Sequence, residues 1–86
     1  KLHQLQALVA IGRGSIRAAA RQLGLSQAAV TKALRELEAE QHLALAVRAA
    51  SGITFTEYGQ ALLTHARLIV GQLQRAGVLE HKIMHR

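Results

Sequence analysis

Apolar residues recur at steps of three and four along most of this chain, the spacing that places them on one face of an α-helix. The first such segment runs from Leu2 to the glycines Gly12 and Gly14, which we expect to end it. A second segment begins at Ser15 and is closed by Gly24. The pattern therefore predicts two short amphipathic helices at the start of the chain.

A third helix is predicted from Ser26 to about Gln41, with its apolar positions on one side and its polar, partly basic positions on the other. Ser26 suits the N-cap position because its hydroxyl accepts a hydrogen bond from an unpaired backbone N–H. Two helices joined by a short turn that contains glycine form a helix-turn-helix, whose second helix enters a DNA groove. Its outward positions include Ala28, Thr31, Lys32 and Arg35.

Beyond the third helix the helical spacing stops. Residues 44–47 and 53–55 predict two short strands. Between them, Ser51 and Gly52 favour a tight turn, since glycine accepts backbone angles that other residues avoid. This segment therefore predicts a small β-hairpin, which we call the wing, and the fold class is mostly α: a winged helix-turn-helix with a three-helix core.

The last helix is predicted from Glu57 to about Ile83, with Thr56 as its N-cap. An apolar seam follows one side of it, formed by Leu62, Ala66, Ile69, Leu73, Ala76, Leu79 and Ile83. A monomer of this size cannot bury so long a helix, so we expect the seam to pair with a second copy. The alternative is a frayed tail that a further domain orders. The chain thus divides into a DNA-binding domain, residues 1–56, and a linker (dimerisation) helix, residues 57–86.

Composition narrows the class of protein. Half of the 86 residues are hydrophobic, yet Phe55 and Tyr58 are the only aromatic residues. Alanine and leucine are abundant and proline is absent, which favours helix over strand. The absence of cysteine excludes disulfides and thiolate metal sites. No apolar run approaches the roughly 20 residues of a membrane span, and we expect a cytoplasmic protein with no membrane partner.

The charge distribution indicates a polyanionic partner. The formal net charge is +6 at pH 7, and no acidic residue precedes Glu36. The basic residues of that stretch lie in or next to the helix-turn-helix: Lys1, Arg13, Arg17, Arg21, Lys32 and Arg35. Basic residues also serve simply to solvate a surface, but together with a helix-turn-helix they favour double-stranded DNA. We expect Glu36 and Glu40 to hold phosphates away from the end of the third helix.

Several stretches of the chain resemble the N-terminal domain of LysR-type transcriptional regulators: residues 14–20, residues 25–31 with Leu37 and Glu38, Leu45 and Arg48 before the wing, and residues 56–62. The resemblance extends from Leu5 to about Gln74. It implies a winged helix-turn-helix and a dimerising linker helix, normally followed by a larger C-terminal domain that binds a small-molecule inducer and that we take to be missing from this chain. Members of the family bind interrupted inverted repeats as dimers or tetramers, and they activate or repress nearby genes.

The chain departs from that family pattern at three positions. Ala28 stands where most members have proline, Ala46 replaces a large aromatic residue, and His42 takes the place of a glycine. We expect a thinner core beneath the wing unless Phe55 fills the gap. We also expect either a left-handed backbone at His42 or a different turn.

The residues expected to contact DNA fall into three groups. Gln27 and Thr31 are candidates for reading base edges, since glutamine bonds adenine at two atoms and threonine meets a base or a thymine methyl. Ala28 also suits a thymine methyl. Lys32 and Arg35 suit phosphates, or alternatively guanine. A third group is expected beside the backbone or in the minor groove, where the two helix-capping serines belong: Ser15, Arg17, Ser26, Arg48, Ser51 and Gly52.

Other functions fit the sequence less well. His81 and His85 have the spacing of a zinc pair, but they lack the Glu of a His-Glu-x-x-His pattern and suit a solvated tail better. No catalytic group or phosphate-binding loop is recognisable, so we expect no enzyme activity, cofactor or metal. The main alternative is a protein-interaction or dimerisation module whose helix-turn-helix has lost specific DNA binding. Nonspecific compaction of the nucleoid is a third option.

Overall fold

The computed structural model of the chain describes residues 1–79. Within this range four helices and one two-stranded antiparallel sheet follow each other in the order α1 (Leu2–Gly12), α2 (Ile16–Leu23), α3 (Gln27–Gln41), β1 (Ala46–Ala49), β2 (Gly52–Phe55) and α4 (Glu57–Arg75). The three-helix core, the hairpin wing and the helix that follows them are therefore confirmed.

Side-chain caps begin three of these helices at the residues that the sequence predicts. The hydroxyls of Ser15, Ser26 and Thr56 each accept a hydrogen bond of 3.0 Å from the backbone N–H three residues later. Each bond satisfies one of the donors that the first turn of a helix leaves unpaired. Glu57 lies in the first turn of α4, where its charge meets the positive end of the helix dipole.

A residue with a left-handed backbone directly follows α2 and α3, and one follows α4 after Ala76. These residues are Gly24, His42 and Gly77, with φ of 69°, 58° and 81°. In each case a backbone N–H then reaches back to a carbonyl in the last turn, from Leu25, Leu43 and Val78 to Ala20, Glu38 and Leu73, respectively. His42 thus adopts the left-handed conformation that was one of the two expected outcomes, and it ends α3 as a glycine would.

Helix α4 is shorter than the sequence predicted. It ends at Arg75 rather than near Ile83, because the chain turns at Gly77. The apolar spacing continues through this turn, so spacing alone did not reveal the break. Leu79 packs against the core instead of extending the helix. The remainder of the predicted helix lies outside the described residues.

Helix α1 lies at the centre of the core. Residues 7–11 are all buried, and α2, α3 and α4 each pack against this helix. The inward face of α3 is formed by its apolar residues, as the periodicity predicted: Val30, Ala33, Leu34 and Leu37. Burying this face fixes the orientation of α3, and its opposite side is left to solvent.

One position of the predicted dimer seam is wrong. The inner face of α4 consists of Gly59, Leu63, Ala66 and Val70. Ala66 is therefore buried in the monomer's own core, where a second copy cannot reach it. Among the other seam positions Ile69 and Ala76 are exposed. Three more are partly buried: Leu62, Leu73 and Leu79.

The first strand of the wing begins two residues later than predicted, and the turn lies one residue earlier, so that the second strand begins at Gly52 instead of residue 53. Ala46 lies opposite Phe55 and Ala49 lies opposite Gly52, so the loop consists of residues 50–51 and Gly52 opens β2 with a φ of 124°. Ala46 is buried, and Phe55 packs against the core. Because opposite residues share a face of the sheet, Phe55 lies on the same side of the wing as the small alanine.

Candidate nucleic-acid interface

The side chains of α3 that were predicted to contact DNA lie on one accessible surface. Gln27, Ala28, Lys32 and Arg35 are exposed, and Thr31 is partly exposed. They occupy the side of α3 that faces away from its buried stripe, and we call them the recognition surface. The structure thus brings together an amide, a hydroxyl, a methyl group and two cations on a rod whose other side is anchored in the core.

The predicted contact residues that precede α3 lie at the N-terminal ends of α2 and α3. Ser15, Arg17 and Ser26 are all exposed, and the two serine hydroxyls are engaged as N-caps. Unpaired backbone N–H groups at a helix N-terminus attract phosphate oxygens. The capping role of both serines is therefore established, and it leaves the helix ends accessible to an anion.

The wing presents its predicted contact residues to solvent. Arg48, Ser51 and Gly52 are exposed. Arg48 lies within β1 opposite Ile53, rather than in a loop. None of the ion pairs found among residues 1–79 involves Arg48. Within the described part of the chain, its charge is thus not matched by a carboxylate.

Both cations of the recognition surface pair with glutamates on α3. Lys32 Nζ lies 3.5 Å from Glu36 Oε2, and Arg35 Nη1 lies 2.7 Å from Glu38 Oε1. Glu36 also accepts a hydrogen bond from Gln4 of α1 at 3.4 Å. This bond and the charge of Lys32 lower the pKa of Glu36. The glutamates therefore act as partners of the cations as well as sources of negative charge.

Glu38 connects α3 to the wing. While Oε1 accepts from Arg35, Oε2 accepts from the backbone N–H groups of Leu45 at 2.8 Å and Ala46 at 3.2 Å. Burial raises the pKa of Glu38, but the bonds from Arg35 and the two N–H groups outweigh it, so the pKa lies below its ordinary value. Sequence reasoning missed this role, because the turn at His42 brings these groups together and no spacing rule describes it.

Sequence features that suggested other kinds of site find no support in the described residues. His81 and His85, which have the spacing of a zinc pair but were expected to belong to a solvated tail, lie outside them. Residues 1–79 contain no group of three or more histidine, aspartate or glutamate side chains arranged to hold a metal ion. Among the helices that the structure describes, none has both the length and the apolar character needed to cross a bilayer.

A three-helix core, an antiparallel wing and an exposed polar and basic face on the second helix of a helix-turn-helix define a winged helix-turn-helix domain. Residues 2–60 match the model of the bacterial regulatory helix-turn-helix proteins of the lysR family. The chain therefore belongs to this family of transcriptional regulators, and the resemblance seen in the sequence is confirmed.

Named relatives support the same assignment. The chain is 36% identical over 70 residues to the nitrogen assimilation regulatory protein Nac of Escherichia coli (strain K12), an alignment that covers 81% of this chain and 23% of Nac. It is 39% identical over 64 residues to the HTH-type transcriptional regulator TdcA of the same strain, covering 74% of this chain and 20% of TdcA. The chain thus spans about a fifth of the length of these regulators.

A solved structure with DNA is also similar. The DNA-binding domain of CbnR, a LysR family transcriptional regulator crystallised with DNA, superposes with a TM-score of 0.79 at 35% sequence identity. The superposition covers 90% of this chain and 90% of that domain. The winged fold of this chain therefore corresponds to the fold of a domain that has been solved bound to DNA.

Proposed function

We propose that this chain is the sequence-specific DNA-binding part of a transcriptional regulator, which binds an inverted-repeat operator as a homodimer with α3 in the major groove. The observation that carries the proposal is the recognition surface of α3, exposed on one side of a helix whose other side is anchored in the core. Membership of the LysR family and the similarity to a DNA-bound domain support it.

Base reading is assigned to the first two turns of α3. Gln27 offers a donor and an acceptor that match adenine, Thr31 offers a hydroxyl and a methyl group, and Ala28 offers a methyl group to thymine. Lys32 and Arg35 lie further along the helix and contact phosphates or guanine. This division places the uncharged groups at the bases and the two cations further along α3, where phosphate contact is the commoner role.

The remaining contacts flank the groove. The N-terminal ends of α2 and α3, with Ser15, Arg17 and Ser26, hold phosphates on one side. The wing, with Arg48, Ser51 and Gly52, approaches the minor groove or the next phosphates. In this arrangement the winged domain, residues 1–56, supplies every DNA contact.

Dimerisation is assigned to one flank of α4. Leu62, Ile69 and Leu73 follow one another at steps of seven and four, beside the buried stripe, so they form a continuous apolar strip. Ile69 is 46% exposed. Pairing two such strips buries apolar surface that the monomer leaves in water and sets the distance between two recognition helices. Ala76, just beyond the end of α4, and the part of Leu79 that the core leaves exposed are assigned to one end of the same contact.

The whole protein carries the remaining functions in this proposal. The two named regulators are several times longer than this chain, which leaves room for a C-terminal domain that binds an inducer and assembles dimers into tetramers. The regulatory domain then acts on DNA binding through the spacing of the two recognition helices.

Selection from a random pool of duplexes tests the proposal. We expect the selected sequences to contain two inverted half-sites, bound about a thousandfold more tightly than scrambled duplex, with affinity falling steeply as salt rises. Equal binding to all duplexes would instead indicate nonspecific compaction. Absence of binding would indicate the interaction module, an alternative that the pairing of both cations with glutamates favours.

A further inference from the structure

We propose that Glu38 is a positioning residue for DNA binding. It holds the guanidinium of Arg35 in its binding orientation and joins it to the base of the wing, so that α3 and the wing meet the duplex as one unit. This inference rests on the function proposed above and adds a residue to its machinery. Sequence analysis gave Glu38 no part in DNA contact.

The ion pair between Glu38 and Arg35 joins a nearly buried carboxylate to a half-exposed guanidinium. The Glu38 side chain is 13% exposed whereas that of Arg35 is 50% exposed, and their ion pair is 2.7 Å long. A guanidinium carries five N–H donors, and this contact uses only one side of it. The carboxylate therefore fixes Arg35 from the protein side while other donors remain available to a phosphate or a base. Holding the side chain in advance removes rotamer entropy that binding would otherwise cost.

The other carboxylate oxygen of Glu38 binds the backbone at the start of the wing. It accepts from the N–H of Leu45, which is fully buried, and from that of Ala46, the first residue of β1. Arg48 follows two residues later on the same strand. One carboxylate thus sets the start of the wing strand and the position of Arg35 on α3. Releasing it would loosen both sets of contacts together.

The neighbouring pair, Lys32 and Glu36, does not have this positioning role. Lys32 and Glu36 are 3.5 Å apart, their side chains are 78% and 42% exposed, and Glu36 is joined to α1 rather than to the wing. Exposed pairs of this kind contribute little to a fixed geometry. For Glu36 the dominant effect on DNA binding is therefore the repulsion between its charge and the phosphates.

The positioning role of Glu38 and the repulsive role of Glu36 predict opposite effects on DNA affinity when each glutamate is neutralised. Electrostatics alone predicts that neutralising any glutamate on α3 strengthens DNA binding. In E38Q the new amide still offers its carbonyl to the backbone, but its NH2 group cannot accept from Arg35. We expect E38Q to weaken operator binding by roughly tenfold. E40Q, an exposed matched control on the same helix, and E36Q should bind as tightly as the wild-type chain or more tightly. Binding of E38Q as tight as that of E40Q would overturn the proposal.

A double-mutant cycle with R35A separates positioning from a merely structural role. If Glu38 acts through Arg35, E38Q weakens the wild-type chain but adds little to the loss in R35A. Both single variants should then lower the slope of log K against log salt by about 1. An equal loss in both backgrounds, with an unchanged salt slope, would contradict the proposal. Circular dichroism verifies that each variant is folded.

R35K provides a second test that leaves Glu38 in place. It keeps the charge but loses the planar fork that Glu38 holds from one side. We expect weaker operator binding than in the wild-type chain, and wild-type affinity would refute the positioned guanidinium. The wild-type chain's own preference for the selected duplex over a scrambled one reports separately on the proposed function. Specific binding by the wild type with tighter binding by E38Q would therefore remove this inference and leave that function intact.

Discussion

A Cβ atom on Gly59 would overlap the backbone carbonyl of Leu45, so α4 approaches the base of the wing as closely as a residue without a side chain permits. The same carbonyl accepts a hydrogen bond from the N–H of Thr56 at 2.9 Å. The Thr56 hydroxyl also donates to the carbonyl of Ala44 at 2.7 Å. The start of α4 and the start of the wing are thus held together through backbone atoms, which cannot move aside as a flexible side chain can.

The variant G59A should therefore be severely destabilised. We expect a loss of about 3 kcal/mol or more in the free energy of unfolding, because the added methyl group meets backbone. G71A, in the same helix, is the control: its Cβ would approach only the end of the Arg75 side chain, at 3.4 Å. Replacing that helical glycine should stabilise the chain by about 1 kcal/mol. Urea denaturation measures both, and similar stabilities for the two variants would contradict the close packing of Gly59 on the backbone of Leu45.

Substitutions of Ser26 separate its capping role from contact with DNA. S26A should lower stability by about 1 kcal/mol, since it removes the acceptor for the N–H of Ala29. S26D should restore stability, because aspartate is an equally good N-cap. If a phosphate lies at this helix end, S26D should nevertheless bind DNA more weakly than S26A. Thermal melts measure stability and binding titrations measure DNA affinity. Equal DNA affinity for both variants would indicate that Ser26 acts only as an N-cap.

Gln27 and Arg48 should affect DNA binding in different ways. Q27A should relax the preference for particular bases, with a loss of about 1–3 kcal/mol confined to the operator. R48A should weaken binding to every duplex and lower the salt slope by about 1. Titrations against the selected operator, single-base variants of it and a scrambled duplex distinguish these outcomes. Uniform losses for both variants would argue against assigning base reading to α3 and backbone contact to the wing.

Acid should destabilise the chain partly through Glu38. The pKa of this carboxyl is lower in the folded chain than its ordinary value of 4.5. A carboxyl of this kind adds stability above its unfolded pKa, and that stability is lost as the pH falls through the folded value. Below about pH 4.5, E38Q should thus lose less stability than the wild type, although it is less stable near pH 7. Urea titrations across this range measure how steeply the free energy of unfolding depends on pH. E40Q is the control, since it keeps the carboxyl group of Glu38. Equal acid slopes for E38Q and E40Q would count against the hydrogen bonds assigned to Glu38.

Self-association should depend on the flank of α4 that carries Ile69. I69E should shift the chain towards monomer, because it places a charge in the proposed apolar contact. Leu68 is more exposed, at 60%, but points away from that flank, so L68E is the matched control and should associate as the wild type does. Sedimentation equilibrium measures the difference. Equal association of the wild type, I69E and L68E would indicate that the dimer contact lies elsewhere on the chain.

Much of this domain could be predicted because its local signals are strong. The caps Ser15, Ser26 and Thr56 mark helix starts, and each needs only the backbone of its own first turn. The inward positions of α3 follow from periodicity, because a helix places every third or fourth residue on one side. The same periodicity placed the recognition surface outward, although it says nothing of the groups those side chains meet.

The tertiary structure decided what depends on residues distant along the chain. Ala66 fits the apolar seam by spacing, but the packing of α4 on α1 turned it inward. Gly77 was visible in the sequence, yet whether such a residue merely weakens a helix or ends it depends on the turn that follows. Glu38 found its wing partners only because the chain reverses at His42. Local sequence determines which conformations are accessible to each segment, and the packing of the segments together selects among them and sets the partners of every buried polar group.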